Sequence, residues 1–172
     1  MISEQAIEID ASSLPEKCLL DTGVLIRALR QRSDADTSAC RAFFDAMVNS
    51  NGKRMLVAAP TVAEMLRGHP RPLPRTRSLS VVPFDLRAAE LLGTKMPISV
   101  LKAQRFDINL PLSYLKYDAM IAACAKRWEA ECIVALDTDH VVLARHVGLP
   151  VCHPRQFAHR EMRLMPVPAG KS

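Results

Sequence analysis

Glycine, aromatic residues and long hydrophobic runs are all scarce in this chain of 172 residues. Six glycines are too few for a collagen or a glycine-rich linker protein, and no repeat of fixed period is present. The longest apolar stretches reach about half of the ~20 residues that a membrane-spanning helix needs. No Lys-flanked apolar leader with a small-residue cleavage site opens the chain, so we expect a cytoplasmic protein that is not exported and has no membrane partner.

Cysteines are present in an odd number and are widely spaced. They are Cys18, Cys40, Cys124, Cys132 and Cys152. No two of them have the two-residue spacing of a zinc or redox motif, and each lies among apolar or helical neighbours. The pattern predicts reduced and mostly buried thiols, rather than a disulfide framework or a zinc site.

The chain does contain enough apolar material for one packed core, because 49% of its residues are hydrophobic and 24% are charged. This balance excludes an intrinsically disordered chain, and the length suits one domain better than two. We expect that domain over 17–157, after a loosely held N-terminal extension over 1–16 and before a C-terminal tail over 158–172. The net charge of +5 favours a polyanionic partner only weakly, because many basic proteins bind no nucleic acid.

Short apolar runs alternate with segments of helical periodicity. The runs predict five strands, over 17–21, 55–59, 79–82, 132–136 and 149–152. Helices are predicted between them, with Thr61 and Asp85 as caps and the most apolar helix beginning at Tyr117 and Asp118, while 94–116 follows no clear pattern. Because the strands are continuously apolar, they predict a parallel sheet with helices on both faces, which is an α/β fold of three α/β/α layers.

Four acidic residues stand beside predicted core segments, where an isolated carboxylate costs several kcal/mol. Asp21 and Asp137 follow predicted strands, and Asp139 comes two residues after Asp137. Glu64 comes just after the second strand, and Asp118 begins the apolar helix. Strands end and helices begin at one edge of a parallel sheet, so we expect these side chains to meet there. Taken singly, each acid is also explained as a helix cap or a turn residue.

Carboxylates that meet at one edge repel each other, by roughly 3 kcal/mol per pair at ~5 Å and an effective dielectric constant of about 20. The neighbouring sequence supplies no dedicated lysine for each acid, so a divalent cation is the simplest counter-charge. Carboxylate oxygens prefer Mg²⁺ or Mn²⁺ to zinc. No Ser–His–Asp or Cys–His arrangement stands out, so a covalent nucleophile is not predicted. The sequence therefore predicts a site for Mg²⁺ (or Mn²⁺) at the carboxyl edge of the sheet.

The segments that carry these acids resemble the motifs of one known family, the PIN-domain nucleases. The matching segments are LLDTGVLI over 19–26, TVAEMLRG over 61–68, YDAMIAA over 117–123, IVALDTDH over 133–140 and GLPV over 148–151. The resemblance runs from about residue 18 to 157, with the motifs in the family's order and at fitting intervals. By length and layout, the bacterial VapC-type toxins are the most similar branch.

This resemblance implies a Mg²⁺- or Mn²⁺-dependent ribonuclease, a phosphodiester hydrolase acting on RNA. Carried over by position, the catalytic acids are Asp21, Glu64, Asp118 and Asp137, and the metal ligands are Asp21, Asp118, Asp137 and Asp139. Thr22 matches the small hydroxyl residue often found after the first acid. Two positions depart from the family, with Ala135 where a Thr or Ser is usual and His140 where an aromatic residue is usual. Loss of the hydroxyl removes one potential hydrogen bond, which bears on the rate more than on the reaction.

The resemblance also implies partners. A VapC-type toxin pairs with an antitoxin whose C-terminal segment covers the active site, and such toxins commonly form homodimers. The apolar helices predicted over 39–48 and 86–92 are candidate surfaces for these contacts, although core packing explains them as well. The alternative function is a PIN-domain module that binds RNA or protein with weak or no catalysis, and the retention of all four acids argues against it.

An acidic site must still attract an anionic substrate. Candidate RNA-binding residues form a basic rim, made of Arg27, Arg67, Arg71, Arg75 and Arg77. A solvated, charge-rich loop explains the same residues equally well. Few aromatic residues accompany them, so base stacking has little support.

Overall fold

Five parallel strands form the centre of the fold, in the order β3-β2-β1-β4-β5. They are β1 (Lys17–Leu20), β2 (Arg54–Ala58), β3 (Leu79–Val82), β4 (Cys132–Val134) and β5 (Val151–Cys152). The computed structural model describes residues 7–30, 34–68, 72–108, 112–137 and 139–159, without the side chains of 106–108, 112–114 and 139–141. The parallel sheet predicted from the sequence is confirmed.

Helices follow the strands in alternation. They are α1 (Thr22–Ala28), α2 (Ala35–Asn49), α3 (Ala59–Gly68), α4 (Leu86–Lys95), α5 (Ile98–Ile108), α6 (Leu112–Arg127) and α7 (Asp139–His146). Two short 3₁₀ helices, Ala11–Ser13 and Pro154–Phe157, lie near the two ends of the described chain. Asp85 caps α4, as the sequence predicts, because its carboxylate accepts a hydrogen bond from the Ala88 N–H.

Alternate residues of the central strands enter two separate apolar cores, one on each face of the sheet. Leu19 packs with residues of α4, α5, α6 and α7. Its neighbours Cys18 and Leu20 pack with residues of α1, α2 and α3. Both faces are therefore covered by helices, which explains why the strands carry unbroken apolar runs. The three-layer α/β/α arrangement is confirmed.

The strand register places three strand ends side by side. Leu20 lies beside Val134 across the β1–β4 pair, and Leu19 lies beside Leu56 across the β1–β2 pair. The residues that follow β1, β2 and β4 thus emerge at the same edge of the sheet. This edge is where the sequence analysis expects the acidic residues.

The segment without a clear sequence pattern, 94–116, is largely helical. It contains the end of α4, all of α5 and the first residues of α6. The prediction that the apolar helix begins at Asp118 is therefore wrong, since α6 begins at Leu112 and Asp118 lies in its second turn. The buried stripe of α6 already includes Leu115, four residues before the buried Ala119, and tertiary packing against that stripe extends the helix toward its N-terminus.

Thr61 is not a helix cap, contrary to the prediction. Helix α3 begins at Ala59, directly after β2, so Thr61 is its third residue and is fully buried. Pro60 occupies the second helical position, where the missing N–H would have no partner within the helix anyway. Thr61 therefore lies inside the helix, which starts two residues before it.

The chain before the sheet is held in place from residue 7 onward, which contradicts the expectation of a loosely held extension. Ile9 forms an antiparallel bridge with Ala158, and the Asp10 N–H donates to the Phe157 carbonyl at 2.9 Å. Leu14 is almost fully buried. These contacts link the two ends of the described chain on the α2 side of the sheet, where Phe157 lies 4.9 Å from Phe43 between ring centres.

All five cysteines are free thiols, and four of them are buried, as the sequence predicts. Cys152 is the half-buried one. None of the helices among the described residues has the length and apolar character needed to cross a membrane.

Candidate active site

Asp21 occupies the junction between the central strand and α1. Its carboxylate caps α1 by accepting a hydrogen bond from the Gly23 N–H at 2.9 Å, and its own N–H donates to the Val134 carbonyl of β4 at 3.0 Å. Only 7% of the residue is exposed. The first acid of the predicted site is thus held in a defined position by the strand on one side and the helix on the other.

Thr22 connects the first predicted acid with the second. Its hydroxyl donates a hydrogen bond of 2.6 Å to Oε2 of Glu64, which lies one turn along α3 from Thr61. Thr22 itself is buried. This contact brings the β1–α1 junction and α3 together.

Gly23 is a position whose importance the sequence analysis missed. A Cβ atom at this residue would stand 3.2 Å from Oδ2 of Asp21 and 3.8 Å from Cδ1 of Leu136. The backbone of α1 therefore approaches the Asp21 carboxylate more closely than a side chain tolerates with ease. The sequence signal for it is the Asp-Thr-Gly order, in which glycine directly follows the two site residues.

Asp118 is half-buried in α6, and α6 packs against α3, the helix that carries Glu64. Helix packing, rather than a position at a helix start, thus brings the helix that carries Asp118 against the helix that carries Glu64. Asp137 is the third residue after β4 and is exposed. Asp139 is the first residue of α7, and its side chain lies outside the described part of the structure.

His153, which the sequence analysis did not single out, follows β5 at the same edge. Burial lowers its pKa, and this outweighs the opposite influence of Asp36 and the smaller one of Asp137. Its Nε2 atom lies 4.0 Å from Asp36 Oδ1, which also accepts a hydrogen bond from Arg155 Nη2 at 2.8 Å. The imidazole therefore faces Asp36.

The donor set has the right chemistry for a hard divalent cation, because it consists of carboxylate oxygens. Among the described side chains, however, no group of three or more His, Cys, Asp or Glu residues is arranged to hold a metal ion. Mg²⁺ is usually bound through one or two carboxylates and completed by water and substrate phosphate. The residues present fit that kind of open site and do not form a closed cage.

Neither Glu64 nor Asp137 forms an ion pair with a Lys or Arg of the described residues. Of the predicted basic rim, Arg27 is half-buried in the last turn of α1, while Arg67, Arg75 and Arg77 are exposed. Arg71 lies outside the described residues.

Ala135, one of the two departures from the family pattern, is buried, and its N–H donates to the Cys152 carbonyl at 3.0 Å. The side chain of His140 also lies outside the description.

A buried hydroxyl lies close to Glu64 in sequence. Among the described residues, the Thr61 hydroxyl is the one buried side-chain polar atom without a hydrogen-bond partner. Such an atom costs about 1–3 kcal/mol of stability. It lies one helical turn before Glu64, on the same side of α3.

Fold and site together define a parallel α/β domain of three layers, in which a Thr–Glu hydrogen bond lies next to Asp21 where the central strand ends. The sequence matches the family model for the PIN domain over residues 18–146, which is well over half of the chain, so the chain belongs to the PIN domain family.

Solved structures share the fold. The VapBC2 complex of Rickettsia felis, bound to a DNA fragment from its promoter, contains a chain that is similar at a TM-score of 0.52 and 14% identity, covering 80% of this chain and 98% of that one. A DNA-bound VapBC complex of Salmonella typhimurium gives a TM-score of 0.49 and 19% identity over 80% of this chain and 98% of that one. At 14% identity, the likeness to the Rickettsia felis chain concerns the fold alone. No curated protein matches the sequence.

Proposed function

We propose that this protein is a ribonuclease that hydrolyses RNA phosphodiester bonds with Mg²⁺ or Mn²⁺. The observation that supports the proposal is the hydrogen bond from Thr22, the residue directly after Asp21, to Glu64, because it connects the segment of the first predicted acid with the second. Membership of the PIN domain family supports the same assignment, since its members are typically nucleases.

The proposal gives each acidic residue a role. Asp21, Asp118, Asp137 and Asp139 would hold the metal ion, some directly and others through bound water. Glu64, positioned by the Thr22 hydroxyl, would orient or deprotonate the attacking water. A bound Mg²⁺ or Mn²⁺ would supply a more acidic water and charge stabilisation at the leaving oxygen. The Asp21 carboxylate has a second task in the fold, since it also caps α1.

The test is incubation of the purified full-length chain with total RNA, with Mn²⁺, with Mg²⁺ and with EDTA. We expect discrete fragments with either metal and none with EDTA. Asp21→Asn and Asp118→Asn should lose cleavage while keeping the fold, because asparagine has the size of aspartate and, at position 21, also caps the helix. Asp45→Asn is the matched control, since Asp45 is an exposed acid on α2. Undiminished cleavage by both site variants would refute the site.

The open donor set also bears on metal affinity. Because no three-ligand group forms among the described side chains, we expect weak Mn²⁺ binding to the free protein and tighter binding once RNA phosphate completes the coordination. Electron paramagnetic resonance of free Mn²⁺, titrated with protein in the presence and absence of an uncleavable RNA, measures both. Wild-type protein that binds RNA and cuts it with neither metal would instead favour the alternative of a PIN-domain binding module.

We further propose that the protein is a VapC-type toxin, working in the cytoplasm with an antitoxin partner and forming a homodimer. The similarity to a chain of the Rickettsia felis VapBC2 complex supports a partner of this kind. If a small reading frame lies directly upstream, its product should copurify with this chain and suppress cleavage. Light scattering after size exclusion then gives the number of copies of each chain.

A further inference from the structure

One cleft of the described structure is lined by none of the four acids. It has a volume of about 740 Å³ and is formed by α4, the end of α6 and Leu149. Its charged lining residues include three cations, Arg87, Lys126 and Arg127. The acidic site does not use this surface, and the basic rim predicted from the sequence does not include it.

Arg127 is held in a fixed orientation at this cleft. Its Nε donates to Asp85 Oδ2 at 2.9 Å, and its guanidinium carbon lies 4.6 Å from the ring centre of Trp128. Trp128 is fixed in turn, because its indole N–H donates to the Pro83 carbonyl at 3.1 Å. Within the described structure, the other four N–H donors of Arg127 carry no hydrogen bond. A planar guanidinium held this way needs little ordering when it binds a phosphate.

The other two cations carry no ion pair within the described residues. Arg87, in the first turn of α4, and Lys126, in the last turn of α6, are both exposed. Leu91, Ala130 and Leu149 supply apolar lining between the charged residues. Such a surface can contact phosphates at its rim and sugars or bases along its apolar part.

Two acids, Glu90 and Glu129, also line the cleft, and their negative charges repel an anionic ligand. Glu129 lies 3.7 Å from Lys17 Nζ, which offsets its charge. Glu90 is exposed and has no such partner among the described residues. Arg127 is already balanced by Asp85, so the charge left for a ligand comes from Arg87 and Lys126 against Glu90.

The cleft shares a helix with the acidic site. Lys126 is eight residues after Asp118 on α6, which is about 12 Å along the helix axis. Stacked nucleotides advance about 3.4 Å each, so a strand must extend roughly four nucleotides from one place to reach the other.

We propose that this cleft is a second RNA-binding site, which holds the single strand away from the bond that is cut. The inference rests on the proposed ribonuclease function for its substrate class. The cleft residues bind the strand and do not take part in the chemical step. Substituting them should therefore weaken the binding of long RNA and leave the cleavage of short RNA unchanged.

The experiment compares a fluorescein-labelled 20-nucleotide RNA with a tetranucleotide. For the double variant Arg87→Glu/Lys126→Glu we expect KM for the 20-mer to rise about tenfold or more, with tetranucleotide cleavage unchanged. The control Lys102→Glu/Arg145→Glu makes the same charge change at two other exposed cations and should alter the 20-mer KM less than threefold. Glu90→Gln should tighten binding of the 20-mer about twofold.

Salt dependence gives a second readout. In EDTA, where no cleavage occurs, fluorescence anisotropy measures Kd for the 20-mer at several salt concentrations. Neutralising two phosphate contacts with Arg87→Gln/Lys126→Gln should lower the slope of log Kd against log salt by about 1.4. Because this readout requires no catalysis, it tests the cleft even if the wild-type protein cuts neither RNA, an outcome that would count against the ribonuclease alone.

Three results would overturn the proposal. One is an equal loss of 20-mer binding in the cleft and control variants, which would indicate bulk charge. Another is no loss in the cleft variants. The third concerns competition. If a poly-glutamate peptide of equal charge displaces the labelled RNA at the same concentration as unlabelled RNA does, the cleft is a surface for acidic proteins.

Discussion

The Thr22 hydroxyl donates a 2.6 Å hydrogen bond to the Glu64 carboxylate, joining residues 42 positions apart on two different helices. A hydrogen bond to a charged group contributes about 1.5–3 kcal/mol. It fixes the orientation of an acid that would otherwise rotate freely about its side-chain bonds.

Removing this hydroxyl should therefore slow cleavage. For Thr22→Val, which keeps the branched shape, we expect kcat for RNA cleavage to fall about 10- to 100-fold, while Thr22→Ser retains most of it. Single-turnover cleavage with saturating metal measures the effect, and circular dichroism checks the fold. Equal rates for the valine and serine variants would show that the hydrogen bond has no role in positioning Glu64.

Gly23→Ala tests the close approach of α1 to Asp21. Alanine normally stabilises a helix by about 0.5–1 kcal/mol over glycine. Here we expect little or no gain, together with a several-fold loss of cleavage, because the new Cβ lies 3.2 Å from Asp21 Oδ2. Gly93→Ala is the control, since a Cβ at Gly93 meets nothing within 4 Å. Urea unfolding and cleavage assays on both variants decide the matter, and an identical stability gain at the two sites would contradict the prediction.

Thr61→Val should stabilise the protein by about 1 kcal/mol, because it removes a buried hydroxyl that has no partner among the described residues. Thr37→Val should instead destabilise the protein. Thr37 is equally buried, but its hydroxyl donates to Asp34 Oδ2 at 2.8 Å. Urea midpoints of the two variants measure the contrast. A lower midpoint for Thr61→Val would mean that the hydroxyl has a partner in solution, such as a buried water.

Cys152 should be the most reactive of the five thiols near neutral pH. A hydrogen bond from the Cys132 thiol lowers the pKa of Cys152, whereas burial raises the pKa of Cys18 and Cys40. We expect iodoacetamide to label Cys152 first, with a midpoint below that of an ordinary thiol, as read by mass spectrometry. Cys132→Ala removes the donor and should move that midpoint upward, toward the ordinary value of 9.0. An unchanged midpoint in this variant would show that the hydrogen bond is not the cause.

Asp85 caps α4 and also accepts a hydrogen bond from the Arg127 side chain, so the stability of the fold should depend on pH. The Ala88 N–H and then Arg127 lower the pKa of Asp85 below its ordinary value of 3.8. The folded state therefore binds this proton more weakly than the unfolded state, so the stabilisation is complete above about pH 4 and is lost as the pH falls further. Asp85→Ala should lower the urea midpoint at pH 7 and have a smaller effect at pH 3. A difference that stays constant across this range would contradict the assignment.

Local pattern was a good guide to the sheet but a poor one to helix ends. The five strands and their parallel arrangement follow from continuous apolar runs, which need burial on both faces wherever they lie in the fold. Helices α3 and α6 begin two and six residues earlier than the predicted starts at Thr61 and Asp118. In α6, the buried Leu115 extends the apolar stripe of the helix to a point before Asp118.

The sequence by itself determined the layer order and the acids at strand ends, because hydrophobic periodicity and the residue after each run are local properties of the chain. Only the tertiary structure decided which of those acids are joined. The Thr22–Glu64 contact, the approach of Gly23 to Asp21 and the cleft between α4 and α6 all depend on helix packing. Distances between side chains on different helices are set by how the layers pack together, which no local pattern encodes.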